Sequence, residues 1–415
     1  MLRTIQRKTA LLLTALLLLS LLPTASLATS SSKNVNNLPV GTTEGYESGA
    51  NWFGEDFSYD VTDEETMWEL LTRPITVLDI GGDAPEKTRV YPLDSPGGEK
   101  VLYEFMGGSF FGNLGGVHVL GEDEDGYTLI EGIDDYDRLI TGYVKTRLLK
   151  EVTPNQKYGI IIDKLTQRLY VYIDGKLWSS CAISTGLVND AQPFNETATG
   201  EYLLGSWVGG FDSEGMYCDM AIRFNGGDLI HQVPYVTLGD GTKRFSKYEA
   251  LLGQKASHGC VRTARIANEE GLCIRWLWEN VKKKTKVLVW DDDGRTLPYP
   301  DDALDLYYNE NGGSYYHSVA DCNSVRDKYL PLTGFKYSEL DTAAYADLER
   351  CPTCLPELRK SIIDKGNAAR GTSSLASGTA ASSTDATPTI PPSSIDGTMV
   401  ISTDDDVHIS ISDDD

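Results

Sequence analysis

Basic residues are scarce in this 415-residue chain: 37 Lys and Arg stand against 61 Asp and Glu, a formal net charge of −24. That balance argues against nucleic acid or an anionic membrane surface as a partner. Long apolar runs are scarce too. Ala10 to Leu22 is the longest, at 13 residues broken only by Thr14 and Ser20, short of the roughly 20 that a spanning helix needs. Arg3, Arg7 and Lys8 precede the run, and Ser26-Leu27-Ala28 follows it with small residues. Residues 1–28 therefore read as a secretory signal peptide cleaved after Ala28, and the expected location is secreted and extracytoplasmic. Membrane contact would come only through a retained signal segment. No nucleotide-binding glycine loop or EF-hand pattern occurs.

Histidine is rarer still, with five in the chain, yet two fall around one cysteine. Ser257-His258-Gly259-Cys260-Val261-Arg262 holds one, and His231 lies 29 positions upstream of Cys260. A thiol is a good nucleophile only as thiolate, and a nearby imidazole can make it one near neutral pH. The plainer reading is a buried structural cysteine beside an incidental histidine.

Around this motif the chain resembles the catalytic domain of bacterial L,D-transpeptidases, the YkuD-like family. The segment 157–291 opens with Gly159-Ile-Ile-Ile-Asp163 and Gln167-Arg-Leu-Tyr-Val-Tyr172. Ser184-Thr185-Gly186 follows, then Thr197-Ala-Thr-Gly200-Glu-Tyr202, Ile230-His231 and Ser257 to Arg262. Ala198 stands where the family usually has proline. The stretch from His231 to Ser257 is longer than usual, which implies an inserted loop around Leu238 to Tyr248.

The resemblance implies a β-sandwich and a peptidoglycan stem peptide as substrate, with no cofactor for catalysis. It implies Cys260 as nucleophile and His231 as base. His258 is the alternative base, or a group that shapes the loop. The triad logic favours His231, held on a separate element, with a backbone carbonyl near Gln232 to orient its ring. Ser257 and Gly259 belong to the same loop, and the N–H groups of Gly259 and Cys260 are the natural oxyanion donors. Arg262 would bind a stem carboxylate or pair inside the protein. Tyr217 and Thr185 are expected to line the groove. A carbapenem would acylate Cys260.

The expected fold is mainly β. Residues 29–61 read as a linker. A short helix is expected from about Asp63 to Thr72, with Thr62 to Glu65 at capping-box spacing. Short strands at 75–78, 88–91, 116–120, 127–130 and 142–145, punctuated by turns, make 62–152 a small barrel that resembles bacterial SH3-like domains. That region would bind cell wall or act as a spacer. His118 falls on a strand face with no catalytic task. Within 157–291 an apolar face from Ile266 to Val281 predicts a helix, and 286–290 a last strand.

Residues 303–362 hold a second constellation, a small α+β Cys/His module. His317 and Cys322 are followed by Cys351 and Cys354, giving H-x4-C … C-x2-C. Two readings stand: a structural zinc on these four residues, or a disulfide from Cys351 to Cys354 or Cys322 in an oxidising space. A helix is expected between Tyr337 and Arg350. Cys181, Cys218 and Cys273 remain, an odd set that implies no complete disulfide framework. Residues 366–415 are Ser, Thr, Ala, Asp and Pro with few large apolar groups and read as a disordered acidic tail.

Three functions follow. The first is a wall-associated L,D-transpeptidase. The second is a cell-wall cysteine carboxypeptidase or endopeptidase. The SH3-bearing cysteine peptidases usually place Cys before His, the reverse of the order here. The third is a non-catalytic wall-binding protein, which would not need an intact Ser257 to Arg262.

Overall fold

The computed structural model describes residues 52–53, 57–78, 87–106, 115–121, 125–133, 139–189, 192, 195–213 and 215–376. The signal segment and residues 377–415 of the tail lie outside the described residues. Met1–Gly371 forms one compact unit; of the second, Thr372–Asp415, only the end of a helix is described.

The N-terminal region is antiparallel β. Strands β1 (Ile75–Leu78), β4 (Gly116–Val119), β5 (Tyr127–Ile133), β6 (Leu139–Lys145) and β7 (Leu149–Val152) form a sheet in the order β6-β5-β4-β1-β7. Strands β2 (Lys87–Val90) and β3 (Tyr103–Met106) form a hairpin beside it, and Tyr91 bridges to Tyr143. Alternation explains the sheet: along β5, every second residue (Thr128, Ile130, Gly132) is buried. His118 stacks on Trp52 with ring centroids 3.8 Å apart, and its Nδ1 lies 3.2 Å from Glu131.

Helix α1 (Glu64–Thr72) starts one residue later than the capping box implied. Asp63, not Thr62, is the cap, accepting from the Thr66 N–H at 3.2 Å. Its apolar stripe serves the next domain: Met67 and Leu71 pack with Ile161, Tyr172, Leu288 and Trp290. The end of the expected linker is also packed there. Phe57 and Tyr59 stand edge-on to Trp290 at 5.8 and 5.2 Å.

The central region is built from β8 (Tyr158–Asp163), β9 (Arg168–Ile173), β10 (Lys176–Ser184), β11 (Gly200–Leu203), β12 (Trp207–Ser213), β13 (Met216–Asn225) and β14 (Asp228–Gln232). A small β15 (Val236–Thr237) and β16 (Lys243–Arg244) hairpin and helix α2 (Ser246–Glu249) fill the inserted loop. Then come β17 (Val261–Thr263), helix α3 (Ile274–Asn280) and β18 (Lys286–Trp290). The expected helix is thus shorter, and Ile266 lies outside it. The sheet order is β11-β18-β8-β9-β10-β17-β14-β13-β12. The two layers are one continuous sheet folded over a shared core. Tyr202 near one edge and Phe224 near the other meet with ring centroids 5.5 Å apart.

A buried ion cluster ties the N-terminal region to this sheet. Lys286, fully buried, pairs with Glu201 and donates to the Leu70 carbonyl at 2.7 Å; Arg73 reaches Glu201 at 2.9 Å. Burial works against the Glu201 charge, but Lys286 and Arg73 outweigh it and hold its carboxyl below the usual range.

The C-terminal region carries β19 (Asp305–Tyr308), β20 (Tyr315–His317), β21 (Thr333–Lys336) and β22 (Glu349–Arg350), in the order β21-β19-β20-β22. The helix expected between Tyr337 and Arg350 is absent. A single 3-10 turn at Tyr337–Glu339 stands there, because Tyr337 and Leu340 turn into the core beside Leu306 and Phe335. Helix α4 (Lys360–Ala376) runs past the expected start of the disordered tail at residue 366.

Candidate active site

Strand register gathers several of the candidate side chains. Ile183, Ile230 and Val261, on β10, β14 and β17, point into the core. Strand alternation then places Ser184, His231 and Arg262 on the opposite face. They are register partners: His231 faces Arg262 across the parallel β14–β17 pair, and Ser184 faces Arg262 across β10–β17. Cys260 is the residue just before β17, two before Arg262. A strand spacing of about 4.8 Å and a two-residue advance of about 6.6 Å put the Cα atoms of Cys260 and His231 roughly 8 Å apart.

The His231 ring is buried, and its Nδ1 lies 2.6 Å from the Gln232 carbonyl oxygen. A carbonyl can only accept, so Nδ1 carries the proton and Nε2 keeps its lone pair. Phe211 stands edge-on to the ring at 5.5 Å. Burial pushes the imidazole down to about 4, against the help of the Gln232 carbonyl, and the Arg262 cation adds to the depression. The ring is a neutral base over the whole physiological range.

Cys260 is partly exposed at the surface. Desolvation pushes its thiol up to about 12, and the Asp228 carboxylate adds to this; the Leu229 N–H and Arg262 pull the other way. Both shifts favour thiol and neutral imidazole over the preformed thiolate that the motif alone implies. Burial on β13 pulls the Arg223 guanidinium down, while Cys260 and Asp228 work in the opposite direction.

The loop before Cys260 is tightly fixed. The Thr185 carbonyl accepts from the Ala256 and Ser257 N–H groups, both at 2.9 Å. Thr197 Oγ1 donates to the Gly259 carbonyl at 2.6 Å and accepts from the Gly186 N–H at 2.9 Å. Ser257, buried, donates its hydroxyl to the Cys260 carbonyl. Gly259 has φ +111, and a Cβ there would come 2.5 Å from Asp228 Oδ1, so both conformation and space require glycine.

Four further residues of the expected site are placed as follows. His258 is exposed. Arg262 is buried, donates to the Ala256 carbonyl at 2.7 Å and lies over the Tyr248 ring at 5.7 Å, so it braces the loop from inside. Thr185 does not line a groove: it is fully buried, held by Gln167 at 2.9 and 2.7 Å, because its work is to anchor the loop. Tyr217 is half-buried, bridged to Tyr235 and lying over Gly210. Asp228 and Arg223 were not singled out from sequence. Only the paired register of β13 and β14 brings them to the thiol.

The protonation states give a test. With the thiol near 12, the thiolate fraction grows about tenfold per pH unit below that value. Alkylation of Cys260 by iodoacetamide, mapped by peptide mass spectrometry, is expected to rise at that slope from pH 6 to 9. A rate that is flat across this range would show a preformed ion pair instead.

Comparison with known proteins follows from this geometry. Residues 157–289 match the family model of the L,D-transpeptidase catalytic domain, YkuD. No curated protein matches. Among solved structures, an L,D-transpeptidase from Stackebrandtia nassauensis is 20% identical, covering 32% of this chain and 56% of its own, with a TM-score of 0.23. An L,D-transpeptidase from Xylanimonas cellulosilytica is 20% identical over 34% of this chain and 64% of its own, TM-score 0.23. The catalytic domain of the E. faecium L,D-transpeptidase is 20% identical over 33% of this chain and 98% of its own, TM-score 0.23. The chain thus spans less than two thirds of the length of the first two.

Proposed function

We propose, from the premise that residues 157–289 are an L,D-transpeptidase catalytic domain of the YkuD family, that this protein is a secreted peptidoglycan transpeptidase in which Cys260 is acylated by a stem tetrapeptide. The observation that carries the reading is the register that pairs His231 with Arg262, two residues after Cys260, with the His231 ring held at the Gln232 carbonyl.

The protonation states set the order of events. Burial pushes the Cys260 thiol up and the His231 imidazole down, so both shifts oppose moving the proton alone. Proton transfer is therefore coupled to attack. His231 Nε2 takes the Sγ proton as sulfur bonds to the carbonyl carbon that follows the third stem residue. Arg262 and Arg223 favour negative charge on sulfur at that moment. The N–H groups of Gly259 and Cys260 donate to the oxyanion. The imidazolium returns its proton to the leaving amine of D-Ala, and a thioester remains. The amine of a second stem, deprotonated by His231, attacks the thioester, restores the thiol and leaves a cross-link. Water in place of the amine would give a carboxypeptidase.

Incubation with disaccharide tetrapeptides, with and without an acceptor amine, tests this by mass spectrometry. The expected result is release of D-Ala with acceptor-dependent formation of the joined product. Release of D-Ala with no joined product at any acceptor concentration would instead establish the carboxypeptidase.

A further inference from the structure

We propose that His317, Cys322, Cys351 and Cys354 hold one zinc ion in a closed tetrahedral site that fixes the C-terminal module against the outer face of the catalytic sheet. The inference is independent of the reaction at Cys260.

Their ligand atoms all lie within 4.8 Å of one another, although the residues span positions 317 to 354. The fold makes this convergence. Strands β20 and β22 run parallel with Tyr315 beside Glu349 and Tyr316 beside Arg350, so the next step sets His317 beside Cys351. The Cys351 N–H donates to the Tyr316 carbonyl at 3.1 Å, extending the pairing. Cys351-Pro-Thr-Cys354 then turns back sharply. The Leu355 N–H donates to the Cys351 carbonyl at 3.1 Å, and Leu355 itself has φ +42.

Distances separate the metal from the disulfide. Cys322 Sγ lies 3.9 Å from Cys351 Sγ, and Cys354 Sγ lies 3.5 Å from His317 Nδ1. Zinc bonds of about 2.3 Å to sulfur and 2.0–2.1 Å to nitrogen, at tetrahedral angles, require about 3.8 Å between sulfurs and about 3.5 Å from sulfur to nitrogen. A disulfide requires about 2.05 Å. All seven cysteines are free thiols.

Polar groups around the sulfurs suit thiolates. The Ser318 N–H points at Cys354 Sγ at 3.3 Å, and Ser324 Oγ lies 3.2 Å from Cys322 Sγ and 3.4 Å from Cys351 Sγ. His317, Cys322 and Cys351 are buried, which is costly for a cluster of polar groups with nothing to bind. With four protein ligands no coordination position is open, the mark of a structural site. Three thiols losing their protons against one dication leave a net charge of −1.

The site is joined to the catalytic domain through the residue after its last ligand. Leu355 packs with Ala182, Val233, Tyr248, Leu252 and Ala264. Its carbonyl accepts from Arg168 Nη2 at 2.5 Å, and Asn323 donates to the Asn268 carbonyl at 3.0 Å. A cavity of about 370 Å³, walled by His317, Ser324 and Cys351 on one side and Leu252 and Ala264 on the other, gives an ion or chelator a path to the ligands.

Elemental analysis of the full chain, purified without added metal or chelator, is expected to find about one zinc per chain. Replacing it with Co(II) should give the intense visible absorption of a tetrahedral thiolate-rich site. The Cys351→Ser/Cys354→Ser variant should lose the zinc, and stripping the wild type with a chelator should lower its melting temperature. Folded wild type without zinc, an intact mass showing loss of two hydrogens to a disulfide, iron in place of zinc, or an octahedral Co(II) spectrum would each overturn the proposal. So would zinc retained in the double variant. The measurements on wild type decide the question even if that variant does not fold.

Discussion

Cys260→Ala is expected to abolish cross-link formation, by on the order of 10⁴-fold or more, because the proposed thioester forms on its sulfur. Cys181 and Cys218 are buried, whereas Cys260 is partly exposed and open to a substrate. The fold should persist. Cys260 is partly exposed, it lies outside the core cluster, and the hydrogen bond from Ser257 reaches its backbone carbonyl, which alanine retains. A melting temperature within a few degrees of wild type, together with loss of product, is the expected pair of results. Undiminished product from the folded variant would remove Cys260 from the mechanism.

His231→Gln is expected to lower the rate of acyl-enzyme formation by about 10³-fold, the scale of losing a positioned general base. Glutamine can keep a hydrogen bond to the Gln232 carbonyl but cannot take the Sγ proton. His258 supplies the contrast, since its side chain is exposed whereas His231 is buried. His258→Gln should cost about tenfold or less. A larger loss for His258→Gln than for His231→Gln would exchange their roles. Stability offers a second reading of His231. Its folded-state value, about 4, lies below the ordinary 6.5, so the unfolded chain binds more protons between these values. The neutral ring therefore contributes stability that is complete above pH 6.5 and is lost as pH falls toward 4. In His231→Gln that part of the acid dependence should disappear.

Local chemistry was the legible part of this chain. The strands of the central domain could be read from alternation such as Arg168 to Ile173, and a candidate nucleophile from the company of histidine and glycine around Cys260. The loop anchors were half visible. Thr185 and Thr197 stand in recognisable motifs, but only the fold shows that one is fully buried and the other grips the Gly259 carbonyl. Asp228 and Arg223 carried no local signal, because their importance comes from register across β13, β14 and the turn before β17. Helix α1 was visible in its stripe of Met67 and Leu71, but not the sheet that it covers. The stretch after Tyr337 misled for a related reason. Leu340, Tyr345 and Leu348 have spacing that suits a helix, yet Tyr345 stacks on Phe335 at 4.1 Å and the chain follows that sheet. Protonation was the least legible feature. Proximity of imidazole and thiol reads as an ion pair until burial and Asp228 are taken into account.

Formation of a covalent intermediate at one sulfur tests the account most directly. The purified full chain is mixed with a tetrapeptide donor in the absence of acceptor, quenched in acid within seconds, and its intact and peptide masses are measured. The account predicts a thioester on Cys260, larger than the free chain by the donor less one D-Ala, which disappears when an amine acceptor is added. Product formation with an acyl group on any other residue, or with none trapped while Cys260→Ala remains active, would contradict it.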